Sequence, residues 1–367
     1  MKEFIKNSIL LITSIFITIL ITEFFIRLLL PQQLILLRPD IWQSDDFLGW
    51  KHKPSLKTTV NTGEKMVNIL TDENGYRVGV KKIISPKYTI LALGDSFIAA
   101  FQVEYEESVA GQLESVLFEN LGQSVEVVNT AVDEWDPNQY LMQARYELSK
   151  RKYDLVLVFL YMGNDIVSER YYKRQPREKS LKHEFRLPKK IEKTELINAV
   201  LYPINDYLEV RSHLFILFKK RLQPLLMKLG LTALYFPYKY YRSAEQSPMW
   251  RLTASICRDI NDLAITHGSK TIFILIPTPY EVDANTFKEY SSTFNIDPFS
   301  VDLDQPNRLL KSGLASYDLT TIDLLQVMRI ENAKGKDLYG RVDTHLNVAG
   351  NKLVAETLAP MIEEILR

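Results

Sequence analysis

The stretch Tyr88-Thr-Ile-Leu-Ala-Leu-Gly-Asp-Ser-Phe97 is a short, unbroken apolar run that stops at Gly94-Asp95-Ser96. Half-buried strands alternate apolar and polar residues; a run without that alternation predicts a strand covered on both faces, as in a parallel sheet. Outward from it the pattern repeats. Val125 to Asn129 is strand-like, and Asp154-Leu-Val-Leu-Val-Phe-Leu160 is a second apolar strand followed by Gly163-Asn164-Asp165. Val109, Leu113, Val116 and Leu117 keep helical spacing within Val103 to Leu121, and Gln139 to Lys150 is a further helix. Late in the chain Trp250 to His267 reads as helix, Lys270 to Ile276 as a strand ending at Pro277, and Leu319 to Leu324 as the last strand. Val348 to Leu366 closes the domain as an amphipathic helix. Strands alternating with helices predict an α/β domain whose parallel sheet carries helices on both faces.

With 367 residues the chain is long enough for one large domain of this kind plus appendages. Hydrophobic residues make up 46% and charged residues 25%, which excludes collagen-like, low-complexity and disordered classes. Forty-five basic and 45 acidic side chains cancel, so no global field draws the protein to nucleic acid. Cys257 is the only cysteine, which excludes an internal disulfide framework and a multi-cysteine zinc site.

The N-terminus reads differently. After Lys2 and Lys6, residues 7–22 carry no charge, and apolar character resumes through Phe24-Phe25-Ile26 and Leu28-Leu29-Leu30. A membrane-crossing helix needs about 20 apolar residues, so the span must take in Glu23 and Arg27, which are four apart and can pair on one face near the interface. Pro31 supplies a stop, and no small-x-small cleavage site follows the apolar core. Residues 1–31 are therefore read as a cytoplasmic tip and uncleaved signal anchor. The lysines beside the span favour a cytoplasmic N-terminus and place the rest outside.

Four further segments follow. Residues 32–86 form a lead-in of short strands and turns, with Leu48-Gly49-Trp50 and the turn signal Asp72-Glu73-Asn74-Gly75-Tyr76. Residues 87–167 and 248–367 are the two halves of the α/β domain. Between them, residues 168–247 form a helical insertion rich in basic and aromatic residues, as in His213-Leu-Phe-Ile-Leu-Phe-Lys-Lys-Arg221. It serves either as a solvated excursion with its own small core, or as a lid or membrane-resting face.

Ligands of parallel α/β sheets bind at the carboxyl ends of the strands, and three motifs fall there. Ser96, at a strand-to-helix turn, presents a hydroxyl where backbone N–H groups can meet a carbonyl oxygen. Asn164, after a second strand, has an amide able to donate to an oxyanion. His345 is the only one of five histidines with a carboxylate two residues earlier, Asp343, and in an extended segment the two share a face. Asp343 can then fix the imidazole tautomer while His345 acts as base. No two-histidine metal helix, phosphate loop or dinucleotide fingerprint is present, and this chemistry requires no metal or cofactor.

In this chain order the three motifs resemble the SGNH/GDSL hydrolase superfamily, over about residues 88 to 169 and 250 to 367. The resemblance implies a flavodoxin-like parallel sheet, Ser96 as nucleophile, His345 as base, Asp343 as its orienter and Asn164 as an oxyanion donor. The lead-in motifs Leu48-Gly49-Trp50 and Asn74-Gly75-Tyr76-Arg77 look like those of membrane-anchored bacterial members.

Two departures stand out. Where the family's second block reads N-x-G-V-x-G, Asn129-Thr-Ala-Val-Asp-Glu134 has Ala131 and Glu134 in place of glycines, so the resemblance makes the Glu134 N–H, with that of Ser96, part of the oxyanion hole. The Asp-x-His spacing, shorter than the usual Asp-x-x-His, resembles alginate-type polysaccharide O-acetylation proteins. The expected function is an extracytoplasmic serine esterase acting on O-acyl, above all acetyl, esters of a cell-envelope glycan or on a small ester. The alternatives are an O-acyltransferase for a surface polysaccharide and a catalytically silent, membrane-tethered glycan-binding or scaffold protein.

Overall fold

A computed structural model describes residues 2–30, 32, 40–81, 83–167, 208, 211–228, 238–242, 248–294 and 296–367. Strands β5 (Tyr88–Leu93), β6 (Val125–Asn129), β7 (Leu155–Tyr161), β8 (Lys270–Ile276) and β9 (Thr321–Asp323) form one sheet in the order β6-β5-β7-β8-β9. Every neighbouring pair in it is parallel. Parallel neighbours need crossovers, and the helices that make them cover both faces.

Alternation along the strands divides the core in two. From β5 and β7, Ile90, Ala92, Leu155, Leu157 and Phe159 face the helices Val109–Leu121, Leu325–Ala333 and Val348–Leu366. Leu91, Leu93, Val156, Val158 and Leu160 face Pro137–Lys150, Pro248–Thr266 and Gln305–Ala315. Both faces being covered, the sequence shows continuous apolar runs.

The lead-in contains two antiparallel hairpins, β1 (Trp42–Asp45) with β2 (Gly49–His52), and β3 (Lys57–Asn61) with β4 (Met66–Leu70). Val60, Val67 and Ile69 pack into the first of the two cores. Arg77, buried beneath Phe101, donates to the carbonyls of Ala99, Ala100 and Val103.

Among the described residues, Lys2–Leu29 is the one helix long and apolar enough to cross a membrane. Glu23 and Arg27 pair at 2.7 Å, as their spacing predicts. Glu23 does more than neutralise Arg27. It accepts from Ser212 Oγ (2.8 Å) and from the N–H groups of His213 (2.9 Å) and Leu214 (2.8 Å). A carboxylate on the free N–H groups opening the helix His213–Lys228 is the favoured charge at that end. Of the insertion, the helices His213–Lys228 and Tyr238–Tyr241 are described; the basic segment Arg170 to Glu195, like Pro31, lies outside the described residues.

Leu157, fully buried in β7 between β5 and β8, tests the assignment of the sheet centre. Leu157→Ala is expected to destabilise the domain by roughly 2–5 kcal/mol, read as a shift in the denaturant midpoint. A loss below about 1 kcal/mol would remove β7 from the core.

Candidate active site

Strand order locates the site. β5 lies between β6 and β7, so the connection leaving β5 runs to one side of the sheet and that leaving β7 to the other, which opens a crevice at their carboxyl ends. Ser96 follows β5, the segment 130–134 follows β6, and Asn164 follows β7.

Ser96 opens the short helix Ser96–Ala99, whose N-cap is Asp95; the cap carboxylate accepts from Phe97 N–H at 3.0 Å. On the β7 side, Gly163 is required by space, since a Cβ there would lie 2.3 Å from the Tyr161 ring. That ring stacks on Phe97 with centroids 3.8 Å apart, and Phe97 in turn lies 4.6 Å from the His345 ring.

The histidine arrives on a loop pinned from several directions. Gly340 N–H donates to His345 O at 2.9 Å, Asn347 N–H to Leu338 O at 3.1 Å, and Tyr339 pairs with Leu346 in an isolated bridge. Asn351, wholly buried, donates to the carbonyls of Leu346 (3.0 Å) and Asn347 (2.9 Å) and accepts from Val109 N–H (3.0 Å). It thereby ties the loop to the helix Val109–Leu121. A Cβ on Gly350 would meet Leu338 O at 2.2 Å, so the closing helix can approach only as glycine.

This places His345 Nε2 at 2.7 Å from Ser96 Oγ, across 249 positions of sequence. Nδ1 contacts Asp343 Oδ1, and the same oxygen accepts from His345 N–H at 3.2 Å. Asp343 and His345 therefore meet around a bend closed by the aspartate, rather than by sharing one face of an extended strand. Gln102, which no sequence pattern singles out, donates to Asp343 Oδ2 at 3.0 Å. Both carboxylate oxygens are thus occupied, and the imidazole is oriented with Nδ1–H toward Asp343.

Burial by itself would depress the His345 pKa, but the Asp343 charge and hydrogen bond outweigh it and carry the imidazole up to about 9, with Asp95 and Asp133 adding to the effect. Asp343, which burial would raise, is held below the usual range by His345 and its hydrogen bonds. Asp95 is raised to about 6, chiefly by burial, with Asn164 among the groups that oppose the rise. Asn164 therefore stands within reach of the Asp95-Ser96 turn, its Oδ1 buried and unpartnered among the described residues. Asp165, buried beside Asp95, is pushed well up by burial and by that charge, and takes hydrogen bonds from Tyr140 Oη (3.0 Å) and Tyr161 N–H (2.7 Å).

Glu134 has φ +61°, the left-handed region where the resemblance expects glycine. It is exposed, and its N–H donates to no group among the described residues. Loss of hydration, with the Asp133 charge, raises the pKa of its carboxyl, and the His345 charge opposes that rise.

Residues 234–366 match the family model described as SGNH hydrolase-like domain, acetyltransferase AlgX. The match takes in Asp343 and His345; Ser96 and Asn164 lie ahead of it. No curated protein matches the chain by sequence. Similar solved structures include TesA, 12% identical with 76% of this chain and 99% of that chain covered, at a TM-score of 0.38. A lipolytic G-D-S-L family protein from Veillonella parvula DSM 2008 is 13% identical, covering 74% of this chain and 97% of its own, at 0.38. The acetyl xylan esterase AlAXEase is 11% identical, covering 75% and 99%, at 0.40.

Three outcomes follow from the site's electrostatics and backbone. A base must be neutral to accept a proton, so kcat/KM for an ester should climb with pH through about 9, where His345 loses its proton. Asp343→Asn should move this limb to lower pH and cut the plateau by on the order of 10⁴-fold; a limb that stays put would remove Asp343 as its source. Glu134→Gly should relieve left-handed strain worth about 1 kcal/mol, seen as a higher melting temperature.

Proposed function

We propose that this chain, an SGNH hydrolase-type protein that is AlgX-like over its C-terminal part, is a membrane-anchored, extracytoplasmic serine esterase acting on O-acyl, above all acetyl, esters of a cell-envelope glycan. The observation that carries the chemistry is the hydrogen-bonded series Ser96 Oγ, His345 Nε2, His345 Nδ1 and Asp343.

Neutral His345 takes the Ser96 proton as Oγ attacks the ester carbonyl carbon. The negative charge that develops on the carbonyl oxygen is held by N–H groups of Ser96 and Glu134 and by the Asn164 amide, each such donor being worth about 3 kcal/mol of barrier. The tetrahedral adduct collapses, the alcohol leaves with the proton from His345, and an acyl group remains on Ser96. Asp343 stabilises the imidazolium between these transfers. Water, deprotonated by His345, then releases the acid and restores the hydroxyl.

The same acyl-enzyme can be discharged by a sugar hydroxyl. This second reading, O-acyl transfer to a polysaccharide, is favoured by the Asp-x-His spacing and by the acetyltransferase description of the matching family.

The anchor reading has support in the contacts of Glu23. A helix whose carboxylate caps His213–Lys228 is bound to the rest of the protein by more than its own length, and Lys2 and Lys6 flank the other end of the apolar stretch.

The wild-type protein should hydrolyse p-nitrophenyl acetate and take up a fluorophosphonate probe at Ser96, located by mass spectrometry. Ser96→Ala should lose both; turnover that survives in the variant refutes the serine mechanism. An added oligosaccharide acceptor that speeds loss of the acyl group from Ser96 selects transfer over hydrolysis, and an unchanged rate selects hydrolysis.

A further inference from the structure

The oxyanion loop does not hold itself. Asp133, next to Glu134, turns its side chain into the lead-in, where Oδ2 accepts from His52 Nε2 at 2.9 Å and from Trp42 Nε1 at 3.2 Å. Its backbone carbonyl accepts from Trp50 Nε1 at 2.8 Å. One residue beyond Glu134, Trp135 Nε1 returns a hydrogen bond to Trp50 O at 3.0 Å. Four bonds from one hairpin and its edge thus bracket the single residue that stands at positive φ in this loop.

The grip is rigid. His52 has no solvent exposure and lies against the Phe101 ring with centroids 4.8 Å apart; Phe101 also meets Trp42 at 6.2 Å. The buried Arg77, 5.5 Å from the Phe101 ring, holds the carbonyls of Ala99 and Ala100, at the end of the nucleophile helix. The lead-in therefore contacts the loop after β6 and the turn after Ser96 through one continuous aromatic and cationic layer. The loop's own backbone closes around Glu134 with one bond, Trp135 N–H to Val132 O at 3.3 Å, and Val132 N–H reaches Gly94 O at 3.4 Å, both longer than the side-chain bonds to Asp133 Oδ2 and O from His52 and Trp50.

Resting on the serine-esterase reading, we infer that the lead-in is a working part of the active site. His52, with Trp42 and Trp50, acts on Asp133 as a set of positioning residues that fix the Glu134 N–H as an oxyanion donor. The physical reasons are two. A non-glycine residue does not remain left-handed unless its surroundings enforce it, and here the lead-in's bonds to Asp133 and from Trp135 add to the one turn bond that the loop makes itself. His52 and Trp42 also engage the Asp133 carboxylate, which keeps it from turning toward the developing oxyanion, while Trp50 holds the Asp133 carbonyl.

Such residues touch no substrate, so their loss should slow the chemical step and leave binding alone. In the full-length, detergent-solubilised protein, His52→Ala is expected to lower kcat for p-nitrophenyl acetate between about 10- and 100-fold, with KM within about twofold. Fluorophosphonate labelling of Ser96 should slow in parallel, because the phosphonyl oxygen needs the same donors. His52→Gln, whose amide can reach Asp133, should recover most of the rate, and Trp50→Phe should reproduce the loss while keeping an aromatic ring.

If His52→Ala does not fold, His52→Gln and Trp50→Phe carry the comparison. Folded variants with wild-type kcat and wild-type labelling rates overturn the inference. So does a rate loss that tracks the melting temperature and vanishes well below it. Wild-type protein that neither turns over esters nor labels at Ser96 overturns the serine-esterase reading itself, and this inference with it.

Discussion

One hydrogen bond, between Ser96 Oγ and His345 Nε2, sets the conditions for the rest of the molecule. Its partners are separated by 249 positions, so a short-range accident of sequence cannot form it. The parallel sheet must first place β5 at its switch point, and the helix Val348–Leu366 must then pack against Val109–Leu121 closely enough to bring the loop before it over the serine. Asn351 makes that packing specific. A buried amide bonded to both the histidine loop and the helix start is stable in one register only, since a shift would leave its polar atoms unpaired in an apolar setting.

Around this bond the protein gathers negative charge. Asp95, Asp165, Asp133, Glu134 and Asp343 lie in or beside the site. Burial pushes Asp95 and Asp165 toward their neutral forms, aided by the Glu134 charge at Asp95 and by the Asp95 charge at Asp165, whereas Asp343 stays ionised because the imidazole and Gln102 bind its charged form. The consequence falls on His345. It becomes a stronger base than a free histidine, at the cost of resting as the imidazolium near neutral pH.

The lead-in and the N-terminal helix show how segments outside the sheet are joined to it. Each uses charged or polar groups to complete an end that the backbone leaves open. Arg77 satisfies carbonyls after the turn at Ser96, Asp133 receives the lead-in's ring donors, and Glu23 caps the helix His213–Lys228. Buried polar groups of this kind add little net stability, but they forbid alternative dockings, because an unpaired partner costs more than a made bond gains.

The sequence by itself determined the elements with strong apolar periodicity and the residue types that carry chemistry. β5 and β7 are legible because strands buried on both faces have no polar side to hide them, and Ser96, Asn164, Asp343 and His345 stand out as candidates because so few residue types suit the chemistry proposed for them. The pairing of Glu23 with Arg27 was also readable, being a property of one helix turn. Tertiary structure alone decided that positions 96 and 345 meet, that Asp343 reaches His345 around a bend, and that Gln102 completes it. It alone revealed that His52 and two tryptophans hold the loop bearing Glu134. The reason is the range of the interactions. Periodicity and spacing record contacts within a few residues along the chain, whereas these groups are joined through a sheet order and helix packing that no local pattern encodes.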